Sequence, residues 1–260
     1  MGKLKFCANV SWMFKESPFL DRYGLAAKAG FNGVEAAWPY EFSIDELVAA
    51  KNAANIDQVL INTGCSESLG HAADYNKVQK FRDELSLGIK YANALDCKRV
   101  HVMAGFRHPE AVTTKAMATY VENLKYAADE LQAHGLTGLI EPIQNKTMEN
   151  SYFINKSVEA MQVLELVNKP NIKYQLDFFH VQLMEGNLTD IVRSTFPKIG
   201  HIQLSQVPKR NEPSTAGEIQ YSYIFDLLEK LGYDGWIGCE YTPATTTVEG
   251  LEWYTNYMSL

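Results

Sequence analysis

At 260 residues the chain is longer than a two-layer domain needs and close to the usual length of a (β/α)8 barrel. Hydrophobic residues make up 46% and charged residues 21%, an ordinary globular balance able to bury a substantial core. The net charge of −7 repels nucleic-acid phosphates and an anionic membrane surface, which leaves small molecules as the expected partners.

Strand-like and helix-like segments alternate from end to end. Strands are predicted over residues 5–10, 33–37, 58–62, 99–103, 137–141, 172–177, 201–204 and 236–240. Helices are predicted between them over residues 44–54, 76–93, 114–134, 158–167, 224–231 and 248–257. Ser43 followed by Glu46 reads as a capping box that starts the first of these helices. Gly30, Gly135 and Gly232 each precede an apolar residue, the signature of a left-handed helix stop that turns the chain back to a strand. Eight units close a barrel, whereas an open doubly wound sheet usually carries a glycine-rich phosphate turn, and neither GxGxxG nor GxxxxGK[ST] occurs. The expected fold class is α/β, a single (β/α)8 TIM barrel over residues 1–260. The longest connections, 63–75, 104–113, 142–157 and 205–220, all follow strands, as on the catalytic face of such a barrel.

Four apolar runs in the second half end in an acid or amide: LTGLIE at Glu141, IKYQLD at Asp177, IGHIQ at Gln203 and WIGCE at Glu240. These residues stand 36, 26 and 37 positions apart, about one strand–helix unit each. Strand C-termini converge on one face of a parallel barrel, so the four are expected to meet there. An isolated strand-end acid is more often solvated, but four in successive units form an oxygen-rich site for a hard divalent cation, Mg²⁺ or Mn²⁺. Such a cation offsets a formal charge of −3 and suits chemistry through an enediolate, with two glutamates as base and acid.

His180, three residues after Asp177, is a candidate substrate contact. His201 shares a strand face with Gln203, so it either lines the barrel below the cation or is a satisfied core histidine; His101 carries the same two readings. His71, His108 and His134 read as solvated or loop residues. Lys209 and Arg210 lie in the loop 206–218, either solvated or, for Arg210, placed to bind a substrate carboxylate. Trp12, Trp38 and Phe106 follow early strands and form an apolar wall or ordinary packing. The four cysteines, Cys7, Cys65, Cys97 and Cys239, contain no CxxC pair and read as free thiols, with Cys239 in the core. No signal-peptide, lipid-anchor or membrane-spanning pattern is read, so a cytoplasmic location is expected, with a homo-oligomer compatible with it.

FCANVSWMF, LIEPI, QLDFFHVQLMEGNLT, GHIQLSQVPKRNEPSTAGEI, GYDGWIGCEYTP and VEGLEW together resemble the hydroxypyruvate isomerases, a branch of the xylose-isomerase-like barrels, along nearly the whole chain. The resemblance implies interconversion of hydroxypyruvate and 2-hydroxy-3-oxopropanoate (tartronate semialdehyde). It implies Glu141 and Glu240 as the proton-transfer pair and Glu141, Asp177, Gln203 and Glu240 as metal ligands. The related ketose 3-epimerases usually have His at the position of Gln203, which favours the isomerase branch. INTGCSES after the third strand and Pro243–Ala244 after the eighth depart from the family pattern at the substrate end. The alternatives are a sugar 3-epimerase and a catalytically silent metabolite-binding barrel.

Overall fold

The computed structural model describes residues 3–107 and 113–259, with His108 outside them. Its strands are β1 (Lys5–Asn9), β2 (Gly33–Ala36), β3 (Asp57–Asn62), β4 (Arg99–His101), β5 (Thr137–Ile140), β6 (Ile172–Asp177), β7 (Ile199–Leu204) and β8 (Trp236–Cys239). Each pairs in parallel with the next, and β1 pairs with β8, so the sheet closes into the expected barrel. The outer ring is α1 (Asp21–Lys28), α2 (Ile44–Ala54), α3 (Val78–Ala94), α4 (Thr113–Ala133), α5 (Ser157–Val167), α6 (Phe178–Met184), α7 (Leu188–Thr195), α8 (Tyr221–Leu231) and α9 (Glu252–Ser259). No helix among the described residues is long and apolar enough to cross a membrane.

Two of these helices escape the sequence reading: α6 begins directly at the end of β6 with no turn residue to announce it, and α7 is a short helix of eight residues. For α1 the sequence marks only the stop at Gly30. The other signals hold. Ser43 and Glu46 form the capping box of α2, and Gly30, Gly135 and Gly232 all have positive φ. After Gly232, the Tyr233 amide donates back to the Leu228 carbonyl at 3.0 Å, closing the helix and aiming the chain at β8.

Period-2 alternation divides each strand between two environments. On β1, Phe6 faces outward, its ring 5.3 Å from those of Phe225 on α8 and Tyr257 on α9. Burying a side chain of this size contributes about 1.5–3 kcal/mol, and this layer between sheet and helices is the main apolar core. Cys239 lies in that core, buried and free. The opposite face of several strands is polar. Asn9 registers with Glu35, Gln175 with His201, and Asp177 with Gln203, and all six are buried. A barrel interior is usually filled by branched apolar residues, so these buried polar groups depend on hydrogen bonds to one another.

Candidate active site

Asp177 ends β6 and caps α6, its Oδ1 accepting from the Phe179 amide at 2.7 Å. That bond fixes the carboxylate and leaves Oδ2 aimed into the barrel mouth. There Oδ2 lies 3.5 Å from His180 Nε2 and 3.4 Å from Arg210 Nη2. Glu141 follows β5 directly. Its Oε2 accepts from Gln175 Nε2 at 3.1 Å and faces His101 Nδ1 at 3.5 Å. Its Oε1 is 3.7 Å from His180 Nε2 and has no hydrogen-bond partner, although it is buried. Glu240, following β8, is held by Arg210 Nη2 at 3.1 Å. The structure thus joins Glu141, Asp177, His180, Arg210 and Glu240 in one constellation. Gln203 lies beside it, its Oε1 accepting from the same Gln175 Nε2 at 2.6 Å.

Arg210 is not on a solvated loop segment. The Gln206 side chain is buried and holds the loop from within, accepting from the Val207 and Ile219 amides and donating to the Ile219 carbonyl. The Arg210 amide donates to the Gln206 carbonyl, and its own carbonyl accepts from Thr242. Its guanidinium lies 4.5 Å from the Trp12 ring and 4.9 Å from Phe179, a sandwich that orients a planar cation. Lys209, next to it, is exposed.

A divalent cation fits part of this donor set. Glu141, Asp177 and His180 each offer one ligand atom, all within 4.8 Å of one another. One ion with bonds of about 2.0–2.6 Å spans such a group. The unpartnered Glu141 Oε1 is the atom such an ion would satisfy. Gln203 Oε1 retains a second lone pair toward the same side, while Glu240 is engaged by Arg210.

Residues 23–257 match the model of the xylose isomerase-like TIM barrel family. The chain belongs to that family. A Danio rerio protein provisionally named a hydroxypyruvate isomerase is 48% identical, with 99% of this chain and 96% of the relative aligned. The 2-oxo-tetronate isomerase of Pectobacterium atrosepticum is 40% identical over 96% of each. A crystal structure from Brucella melitensis, described as a family 2 AP endonuclease, superposes with a TM-score of 0.94 at 41% identity, covering 98% of this chain and 99% of that one. An L-ribulose 3-epimerase structure matches at TM-score 0.78 but only 21% identity, covering 100% of this chain and 87% of that one, a likeness of fold alone.

Electrostatics in this xylose isomerase-like barrel follow from burying acids together. Burial, reinforced by Asp177 and Glu240, pushes the Glu141 carboxyl well above its usual range. Glu240 is pushed up to about 8 by burial, with Arg210 opposing the rise. Asp177 is raised by burial against the pull of Arg210 and the α6 amides. Burial depresses His180, with Arg210 adding to the effect, and brings His101 down to about 3. Both imidazoles are therefore neutral at pH 7.

Several side chains stand where the sequence reading did not put them. His71 lies in the loop between β3 and α3, as one of its two readings had it, but it is buried rather than solvated, its Nδ1 2.8 Å from Glu84 Oε1. His134 is exposed and meets Asn93. His201 pairs with Glu35 in the interior. Trp12 is more than a wall, since its ring lies against the Arg210 guanidinium. Trp38 donates to the Thr63 carbonyl, and Phe106 lies in a small cavity of about 190 Å³ beside His71. Glu35 and Gln175 were not anticipated. Their signal was a charge inside the apolar run GVEAAW and an amide two residues before Asp177.

Proposed function

We propose that this barrel is an isomerase of small 2-oxo acids bearing a hydroxyl at C3, with hydroxypyruvate as its substrate and 2-hydroxy-3-oxopropanoate as product. The observation that carries the reading is the pairing of Glu141 and Glu240, three strands apart around the closed barrel, with Asp177 and Arg210 between them. One carboxylate takes the proton from C3, and the other partner delivers a proton to C2 of the resulting enediolate. The hydroxyl proton passes between the two oxygens, so no atoms or electrons are gained or lost. Carboxyls raised toward neutrality suit this role, because a proton donor works best with a pKa near the working pH. Glu141, Asp177 and His180, with Gln203 and Glu240, would hold a Mg²⁺ or Mn²⁺ ion, which supplies an electrophile for the substrate oxygens.

Arg210 supplies the cation for the substrate carboxylate. Its Nε is buried and unpaired, so a planar anion finds a free donor on a prepositioned fork. Neutral His180 donates or accepts at the substrate hydroxyl. The names of the Danio and Pectobacterium relatives support this class, since both substrates place a ketone between a carboxylate and a carbinol carbon. The nuclease name of the Brucella structure does not transfer: among the described residues, each cluster able to hold a metal contains one histidine, and the net charge is −7.

The test is turnover of hydroxypyruvate by purified protein with Mg²⁺ or Mn²⁺, followed by NMR, beside 2-oxo-tetronate and neutral ketoses. Preference for the oxo acids supports the reading. Turnover of ketoses alone would replace it with the epimerase alternative, and no turnover of any would leave the silent barrel.

A further inference from the structure

Below the mouth, Glu35 on β2 sits in the barrel interior with 1% of its surface exposed. Its Oε1 accepts from His201 Nε2 and from Cys7 Sγ at 3.6 Å. Its Oε2 accepts from Asn9 Nδ2 at 3.1 Å and from Gln203 Nε2 at 2.9 Å. Cys7, Glu35 and His201 have the composition of a metal site. A carboxylate has about four lone-pair positions, however, and four donors already occupy these. Gly238 closes the remaining side, since a Cβ there would lie 2.0 Å from Glu35 Oε1. The cluster is a filled anchor.

We infer that Glu35 is a positioning residue that holds the Gln203 amide with its oxygen toward the Glu141–Asp177 cluster and its nitrogen away from it. The orientation is fixed from both ends. At the lower end Gln203 Nε2 donates to Glu35 Oε2 at 2.9 Å, which turns the amide oxygen away from Glu35. The Asn9 amide is set independently, because its Oδ1 accepts from the Ser11 backbone. At the upper end, Gln175 Nε2 donates to Glu141 Oε2 at 3.1 Å and to Gln203 Oε1 at 2.6 Å. Two amides thus run head to tail between two carboxylates. A free glutamine presents oxygen or nitrogen with little preference, and only the oxygen is a ligand for a hard cation. The inference rests on the reading of the mouth as a cation site.

The experiment is Mn²⁺ binding to metal-free protein by calorimetry, with circular dichroism as the folding control. Glu35→Gln removes the obligate acceptor while keeping shape, and a roughly 10–100-fold rise in the Mn²⁺ dissociation constant is expected, the usual scale for losing a group that orients a ligand. Glu35→Asp keeps the charge but withdraws it by one methylene, and should fall between wild type and Glu35→Gln. This second variant carries the test if Glu35→Gln does not fold. A role in folding alone would lower the melting temperature and leave the dissociation constant within twofold of wild type; that result, in either folded variant, overturns the inference. If wild-type protein itself fails to bind Mn²⁺, or binds it equally after Asp177→Asn, the cation reading of the mouth is wrong and the inference goes with it.

Discussion

Two carboxylate clusters share the barrel interior and are finished differently. Around Glu35, donors from β1 and β7 complete every acceptor position. Around Glu141, one oxygen is buried with no hydrogen-bond partner, and the nearest basic atom belongs to His180, whose protonation burial opposes. Leaving a buried acceptor unpaired costs about 1–3 kcal/mol, more for a charged group. The two clusters are joined through the Gln203 and Gln175 amides, and the unpartnered oxygen of the Glu141 cluster suits the ligand site proposed above.

The largest effect should come from the open cluster. Glu141→Gln and Glu240→Gln keep size and one oxygen but remove the proton acceptor. Each is expected to lose at least about 10²-fold in turnover, the usual contribution of a general acid or base. Near-normal turnover in either variant, folded and with cation supplied, would end the two-glutamate mechanism. It would also break the contrast between an open, working cluster and a closed one.

Arg210→Met comes next. It keeps an apolar stem between Trp12 and Phe179 while removing the fork. The KM for hydroxypyruvate should rise by an amount equivalent to about 1.5–3 kcal/mol, the scale of a hydrogen bond to a charged group. Neutral sugars should be far less affected. Equal losses on both would assign Arg210 to holding Asp177 and Glu240 apart, its two partners in the structure.

The open cluster was legible in the sequence, and the closed one was not. Glu141, Asp177, Gln203 and Glu240 each end an apolar run, and barrel topology alone brings strand ends together. Seven of the eight strands shift at one or both ends while β6 is unchanged, because strand existence depends on composition and strand ends on hydrogen bonds that composition does not encode. Glu35 sits mid-run, where an acid looks like an exception to the pattern. Its partners His201 and Gln203 are more than 160 residues away, and only barrel closure, which joins β8 to β1, makes them neighbours. The burial of His71 in its loop escapes the sequence for the same reason, since its partner Glu84 comes from α3.

The closed cluster can be tested by crowding it. Gly238→Ala would drive a methyl group into the Glu35 carboxylate. Overpacking of this kind costs about 1–3 kcal/mol, so the melting temperature should fall by several degrees. An unchanged melting temperature would mean that the anchor has slack and that its saturation is not enforced by packing.

The smallest expected effect is the pH dependence of cation-free stability, and its sign separates the two kinds of buried group in the open cluster. Glu141, Asp177 and Glu240 have raised pKa values in the folded chain, Glu240 at about 8 against an ordinary 4.5. The folded state therefore keeps protons that the unfolded chain releases. The stability linked to this is fully present below the ordinary carboxyl pKa and is lost as pH rises through the folded values. His101 and His180 act oppositely: both are depressed from an ordinary 6.5, so their contribution grows with pH and is complete once pH exceeds 6.5. Between pH 6.5 and 8 Glu240, raised to about 8, still changes. In that window the melting temperature of EDTA-treated protein should decline, reflecting at most about 1.4 kcal/mol of stability lost per pH unit through Glu240. A divalent cation takes the place of the departing protons, so the stabilisation from added Mn²⁺ should be greater at pH 8 than at pH 6.5. A flat melting profile with an equal Mn²⁺ effect at both pH values would mean that the carboxyls are already ionised and paired in the folded chain. The open cluster would then be as complete as the closed one.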